Sequence, residues 1–317
     1  MKTVFLDFKT VSNNDINTSR LDSLLPDVTY HDVTAPSKLA ARVAEAEVII
    51  TNKIRIDREV IDAAPKLKLI VLVATGTNNV DLDAAKDKGV GVCNIRAYCT
   101  EAVVQHVFAM ILALTQHLDG YQNLLKEGAW RNAPQFCLLD YPIVELKGKN
   151  FGIVGFGELG RGAAYVAAGF GMRVLIANRE GTPPRVGRLI LDELLGESDV
   201  VTLHCPLSAK TKKMIGEREL KLMKPTAILI NTARGGLIDS QALADALRSG
   251  EIAGAGIDVL PQEPPVDGDP LLADDIPNLI VTPHIAWATR EARQRAVDEV
   301  TANIEDYLRG GTRNRVV

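Results

Sequence analysis

Residues 151–160 read FGIVGFGELG: a short apolar run, then glycines at 155, 157 and 160, then residues suited to a helix. A strand that ends in G-x-G-x-x-G and runs straight into a helix has few ways to fold. Gly155 permits the tight turn, Gly157 lets a phosphate approach the backbone, and Gly160 lets helix and strand pack closely. The helix N-terminus then offers oriented N–H groups to a diphosphate. The stretch predicts a dinucleotide site, with Phe156, Glu158 and Leu159 of the same turn among its contacts.

Short aliphatic runs alternate with helical patterns along the whole chain, which signals parallel α/β architecture. From the glycine turn onward, strands are expected at 151–154, 173–177, 199–204, 227–231, 254–259 and 279–282. An earlier series falls at 3–8, 28–30, 47–50, 69–74 and 91–94. A chain of 317 residues is long for one core. The expected fold is therefore α/β with two doubly wound parallel-sheet domains. A Rossmann cofactor domain, 100–285, is inserted in a flavodoxin-like substrate domain, 1–99 plus 286–317. The amphipathic helix expected at 289–310 returns to pack on the first domain. Thr100 can cap a helix whose apolar residues (Val103, Val104, Val107, Phe108, Met110, Ile111, Leu112, Leu114) fall on nearly every face. Such a helix must bury itself against something other than water, so a homodimer with this helix near its core is expected.

Other classes are excluded by charge and patterning. With 36 Lys and Arg against 40 Asp and Glu the net charge is −4, which gives no pull toward nucleic acid or anionic lipid. No apolar run reaches the roughly 18 residues a membrane span needs. The N-terminus is too soon charged for a signal peptide. Cys93, Cys99, Cys137 and Cys205 are scattered without metal-ligand spacing. No metal is expected, and free thiols suit the cytoplasm.

Two further regions bear on the ligand. The strand after the glycine turn ends in Asn178 and Arg179, where a carboxylate usually holds the ribose hydroxyls of NAD. A neutral amide beside a guanidinium does not repel a 2′-phosphate. The cofactor is expected to be NADP or NAD, with NADP accepted and its preference open. The loop after the third strand, His204, Cys205, Pro206 and Thr211, is expected to cover the cofactor, with Thr232 and Ala233 nearby and Thr100 contributing.

Ligands of a doubly wound sheet sit beyond the carboxyl ends of its strands. There the fourth strand delivers Arg234, the fifth Asp258 and soon after it Glu263, and the sixth His284. A fixed planar cation suits an anionic 2-oxo acid. Reducing a carbonyl also calls for a proton, and histidine is the side chain that supplies one near neutrality. Glu263 would orient that imidazole and favour its charged form, and Asp258 could accept a bond from a nicotinamide carboxamide. His106 and His117 sit on the buried helix and read as structural.

At these residues the chain resembles the D-isomer-specific 2-hydroxyacid dehydrogenases over essentially its full length. The resemblance is carried by ATGTNNVDLDAA, GIVGFGELGR, KPTAILINTARGGLID, GAGIDVLPQEPP and NLIVTPHIAWAT. It implies a catalytic Arg234, a Glu263 paired with His284, and His284 as proton donor. It also implies that the backbone of Ala74, Thr75, Gly76 and Thr77 binds the substrate carboxylate together with Arg234 and His284, and that the protein is dimeric. GAGIDVLPQEPP, FCLLDYPI and PHIAW are most similar to members that interconvert hydroxypyruvate and D-glycerate. The expected reaction is NAD(P)H-dependent reduction of hydroxypyruvate to D-glycerate or glyoxylate to glycolate. The alternatives are another small acid such as D-lactate, formate oxidation, or an NAD(H)-sensing corepressor-like protein without catalysis.

Overall fold

The structure, a computed structural model, describes residues 1–179, 181–183 and 185–317. The chain divides into two compact units, one of Met1–Cys99 with Trp287–Val317, the other Thr100–Ala286. Each is built on an all-parallel sheet flanked by helices, the α/β class expected from the alternating pattern.

In the first unit β1 (Thr3–Phe5), β2 (Val28–Tyr30), β3 (Val48–Thr51), β4 (Leu69–Leu72) and β5 (Gly91–Cys93) pair in the order β2-β1-β3-β4-β5. Every residue of VIIT in β3 and LIVL in β4 is buried, because a parallel sheet is covered on both faces. One face meets Ile61, Ala84 and Ala85 of two short helices. The other meets Ala296, Val297, Val300 and Ile304 of the helix Arg290–Leu308. Fully burying one such aliphatic side chain stabilises the fold by about 1.5–3 kcal/mol. Thr289 caps that helix, its hydroxyl accepting from Ala292 N at 3.2 Å. Arg293 in its first turn grips Asp15 with two bonds of 2.7 and 2.6 Å, which holds the Asp15 carboxyl well below the usual carboxylate range. β1 stops at Phe5, earlier than the 3–8 pattern suggests. The reason is Asp7, whose carboxylate accepts from the amides of Asn52 (2.9 Å) and Lys53 (2.7 Å) and draws the chain out of the sheet.

β4 leads into the loop Ala74–Thr77. The Ala74 carbonyl accepts from Ile95 N at 3.1 Å, and the Thr75 carbonyl accepts from Asn94 Nδ2 at 2.7 Å. Among the described residues, the amides of Thr75, Gly76 and Thr77 donate no hydrogen bond.

The second unit holds β6 (Asn150–Val154), β7 (Arg173–Ile176), β8 (Val200–Leu203), β9 (Ile228–Asn231), β10 (Gly254–Ile257) and β11 (Leu279–Val281), ordered β11-β10-β9-β8-β6-β7. A parallel bridge from Ala177 to Leu189 extends the edge beyond β7. The winding therefore reverses between β6 and β8, beside the glycine turn that follows β6.

One expectation loses its supporting argument here, and another is corrected. The helix Thr100–Thr115 packs on β9, β10 and the helix Glu158–Gly169, with Met110 lying over Gly256. Most of its apolar side chains are buried within its own unit, with Leu112 half-buried, so their all-round character does not by itself argue for a dimer core. Several uncovered apolar side chains follow it in the chain, at Leu118, Trp130, Phe136, Leu139 and Ile143, with Phe136 89% exposed. His117 lies beyond that helix, at a left-handed φ of 47° before the helix Leu118–Lys126, its ring stacked on Tyr141.

Candidate active site

The glycine turn is shaped by what lies beside it. Gly155 has φ 101°, and a Cβ there would fall 2.5 Å from Cys205 N and 2.6 Å from the His204 carbonyl carbon. No larger residue fits between β6 and the chain leaving β8. Gly157 is the N-cap of the helix Glu158–Gly169; among the described residues no side chain caps it, and its Cβ direction is open. Thr100 does not face an empty turn: its hydroxyl donates to the Glu158 carboxylate. Phe156 carries the Arg188 guanidinium over its ring, 5.8 Å from the centroid, and Leu159 is half-buried in the first turn.

Asn178 follows β7. Its side-chain amide donates to the carbonyls of Thr182 (3.1 Å) and Pro183 (3.4 Å), leaving Oδ1 buried without a partner among the described residues. The carboxamide therefore shapes the loop that carries the exposed Arg179. Across the turn, His204 Nε2 bonds Thr202 Oγ1 at 3.0 Å, Nδ1 is buried without a partner among the described residues, and burial pushes the ring down to about 4. Such a ring is neutral and suits contact rather than proton donation. Burial pushes the Cys205 thiol up to about 11, which disfavours the thiolate, and its Sγ rests 3.7 Å from Met214 Sδ. Thr211 closes its own loop on the Pro206 carbonyl at 2.8 Å. Thr232 Oγ1 is likewise buried without a partner among the described residues. An uncapped helix start and orphaned polar atoms around one glycine turn suit a dinucleotide, whose diphosphate and ribose groups can engage them.

The reacting groups are assembled by backbone fit. Asn231, fully buried at the end of β9, accepts from Ala233 N (3.0 Å) and donates to the Arg234 carbonyl (2.9 Å). This clamp folds NTAR into a tight turn and presents Arg234 outward, its Nη1 on the Ala233 carbonyl at 2.7 Å. A Cβ on Gly235 would overlap Leu260 and Pro261 backbone at 2.0–2.4 Å, so only glycine lets this turn seat against the chain leaving β10. That contact brings the Glu263 loop to Arg234.

Glu263 is held at both oxygens: Oε1 accepts from Leu260 N at 2.9 Å and Oε2 lies 2.5 Å from His284 Nδ1. His284 sits at φ 54°, a left-handed conformation uncommon for a residue with a Cβ. Asp258, 1% exposed, imposes it. The Asp258 carbonyl accepts from His284 N at 2.8 Å. Its carboxylate accepts from Ile285 N (2.9 Å), Ala286 N (2.9 Å) and Thr282 Oγ1 (2.6 Å). His106 reaches Thr282 Oγ1 at 3.0 Å from the helix side. Asp258 thus anchors the histidine loop, an occupation that reading the strand end alone did not reveal. Arg234, Glu263 and His284 line one cavity of about 170 Å³, with Leu207, Val259 and Pro261 as apolar wall.

A doubly wound sheet with this glycine turn at its switch point, and with cation, carboxylate and imidazole on one rim, defines a nicotinamide-dependent dehydrogenase. The comparisons with known proteins narrow the class. Residues 108–286 match the family model "D-isomer specific 2-hydroxyacid dehydrogenase, NAD binding domain". The chain is 45% identical to glycerate dehydrogenase of Methylorubrum extorquens over 90% of each chain. It is 37% identical to hydroxypyruvate reductase of Blautia hydrogenotrophica, covering 100% of this chain and 99% of that one. The solved structure of D-lactate dehydrogenase from Escherichia coli superposes with a TM-score of 0.83 at 28% identity, covering 100% of both chains. The chain belongs to the D-isomer specific 2-hydroxyacid dehydrogenase family. It uses a nicotinamide cofactor, and its substrate is a small acid. Among the described residues no cluster could hold a metal ion, and no helix is long and apolar enough to cross a membrane.

Proposed function

We propose that the protein reduces a small 2-oxo acid, hydroxypyruvate to D-glycerate or glyoxylate to glycolate, with His284 delivering the proton. The observation that carries this reading is the 2.5 Å His284–Glu263 pair opening on the same cavity as Arg234. Arg234, without a carboxylate partner among the described residues, binds the substrate carboxylate. The undonated amides of Thr75, Gly76 and Thr77 are suited to an anionic group such as a carboxylate. Glu263 occupies His284 Nδ1 and fixes the ring, so the proton delivered to the carbonyl oxygen is the one on Nε2. A bound nicotinamide supplies the hydride for the carbonyl carbon. The relatives named for glycerate dehydrogenase and hydroxypyruvate reductase activity favour these substrates over D-lactate. Consumption of NADH or NADPH on adding hydroxypyruvate, followed at 340 nm, tests the reading.

Recognition of the cofactor involves Thr100, Gly155, Phe156, Gly157, Glu158, Leu159 and Gly160, with His204, Cys205, Pro206, Thr211, Thr232, Ala233 and Asp258 on the facing strand ends. Asn178 carries no charge to repel a 2′-phosphate, and Arg179 is exposed beside it. NADP is therefore accepted. Arg179→Ala is expected to lower the NADPH/NADH ratio of kcat/KM by about tenfold, the loss of one charge-assisted contact. An unchanged ratio would remove Arg179 from 2′-phosphate recognition. The apolar residues uncovered at 118–143 favour a homodimer through that face, which light scattering reads as twice the mass of the chain. The four free cysteines are consistent with a cytoplasmic site of action, which cell fractionation would test.

A further inference from the structure

We propose that Asn94 is a positioning residue for the substrate carboxylate, acting through the Thr75–Gly76 peptide. This rests on the reading of Ala74–Thr77 as a carboxylate-binding loop. Asn94 is 6% exposed at the end of β5, and its Nδ2 donates to the Thr75 carbonyl at 2.7 Å. The preceding carbonyl, Ala74, is held by Ile95 N at 3.1 Å. A trans peptide is planar, with its C=O and N–H pointing in opposite directions. Pinning two successive carbonyls to residues 94 and 95 therefore turns the Thr75 and Gly76 N–H groups away from them. Those are the amides that donate to nothing among the described residues.

Among the described residues the carboxamide makes no other hydrogen bond. Its Oδ1 is buried without a partner among the described residues, a cost that an apolar residue of similar size would avoid. What Asn94 contributes to the fold is the donor on Nδ2. That donor projects from a fixed backbone. Asn94 N donates to the Asn314 carbonyl at 3.2 Å, and its own carbonyl accepts from Asn303 Nδ2 at 2.8 Å. Asn303 is tied in turn to Asn314 Nδ2 at 3.0 Å. The aim of the Gly76 amide is thus set by a chain of asparagines reaching the C-terminal helix.

Steady-state kinetics with hydroxypyruvate test the proposal in Asn94→Ala, which deletes the donor, and Asn94→Asp, which sets a carboxylate against the Thr75 carbonyl. Both are expected to raise KM by about tenfold or more while kcat stays within about threefold, with NAD(P)H binding unchanged. If Asn94→Asp does not fold, Asn94→Ala alone decides. A KM within about twofold of wild type in folded Asn94→Ala overturns the proposal. Gly76→Pro, which removes the amide itself, separates the two claims. A raised KM there with a normal KM in Asn94→Ala sinks the role of Asn94 alone. A normal KM in Gly76→Pro sinks the reading of the loop.

Discussion

His284→Ala is expected to lower kcat by about 10² or more while NAD(P)H binding stays close to wild type. Positioned proton transfer contributes about 10²–10⁴ to such a reaction, and the geometry gives the task to one nitrogen. Glu263 Oε2 lies 2.5 Å from Nδ1 and is itself fixed by Leu260 N, so the ring cannot turn without breaking that bond. Glu263→Gln keeps a hydrogen-bonding partner of the same shape and loses the charge. Its kcat is expected to fall less than that of His284→Ala. The Asp258 bonds to the 284–286 backbone do not involve the imidazole, so the loop survives its removal. Near-normal turnover in His284→Ala would take proton donation away from this residue.

Arg234→Ala is expected to lower kcat/KM for a 2-oxo acid by roughly 10²–10⁴, from charge-assisted hydrogen bonds worth about 1.5–3 kcal/mol each and a carboxylate that accepts two. Arg234→Lys restores the charge without the planar fork and is expected to fall between wild type and Ala. If Arg234→Lys equalled wild type, a point charge would suffice and two-point recognition would be wrong. The turn itself does not rest on the guanidinium: Asn231 clamps it through backbone atoms and Gly235 seats it against Leu260. Loss of activity in these variants therefore reports on the side chain.

Much of this site could be read from residue order. A parallel sheet delivers the ends of its strands to one rim, so Arg234, Glu263 and His284 could be grouped once the strands were placed. The glycine turn was legible because strand, spacing and helix start agree. What escaped was interaction between segments distant in sequence. Asp258 holds Ile285 and Ala286, and His106 reaches Thr282 across 176 positions. No local pattern carries such pairings. Asn231 was hidden for the opposite reason, since an asparagine at a strand end reads as an ordinary turn residue. The helix Thr100–Thr115 shows a third limit. Apolar residues on every face demand burial, yet they do not say by what, and here β9, β10 and a neighbouring helix supply it.

The most direct measurement is the rate of NADH and NADPH oxidation at 340 nm by the purified protein with hydroxypyruvate, glyoxylate and pyruvate in turn. Hydroxypyruvate or glyoxylate is expected to give the highest kcat/KM, with turnover on NADPH as well as NADH. Preference for pyruvate would move the substrate assignment to D-lactate. Absence of turnover with every acid and both cofactors would contradict the catalytic account and leave a protein that only senses the dinucleotide.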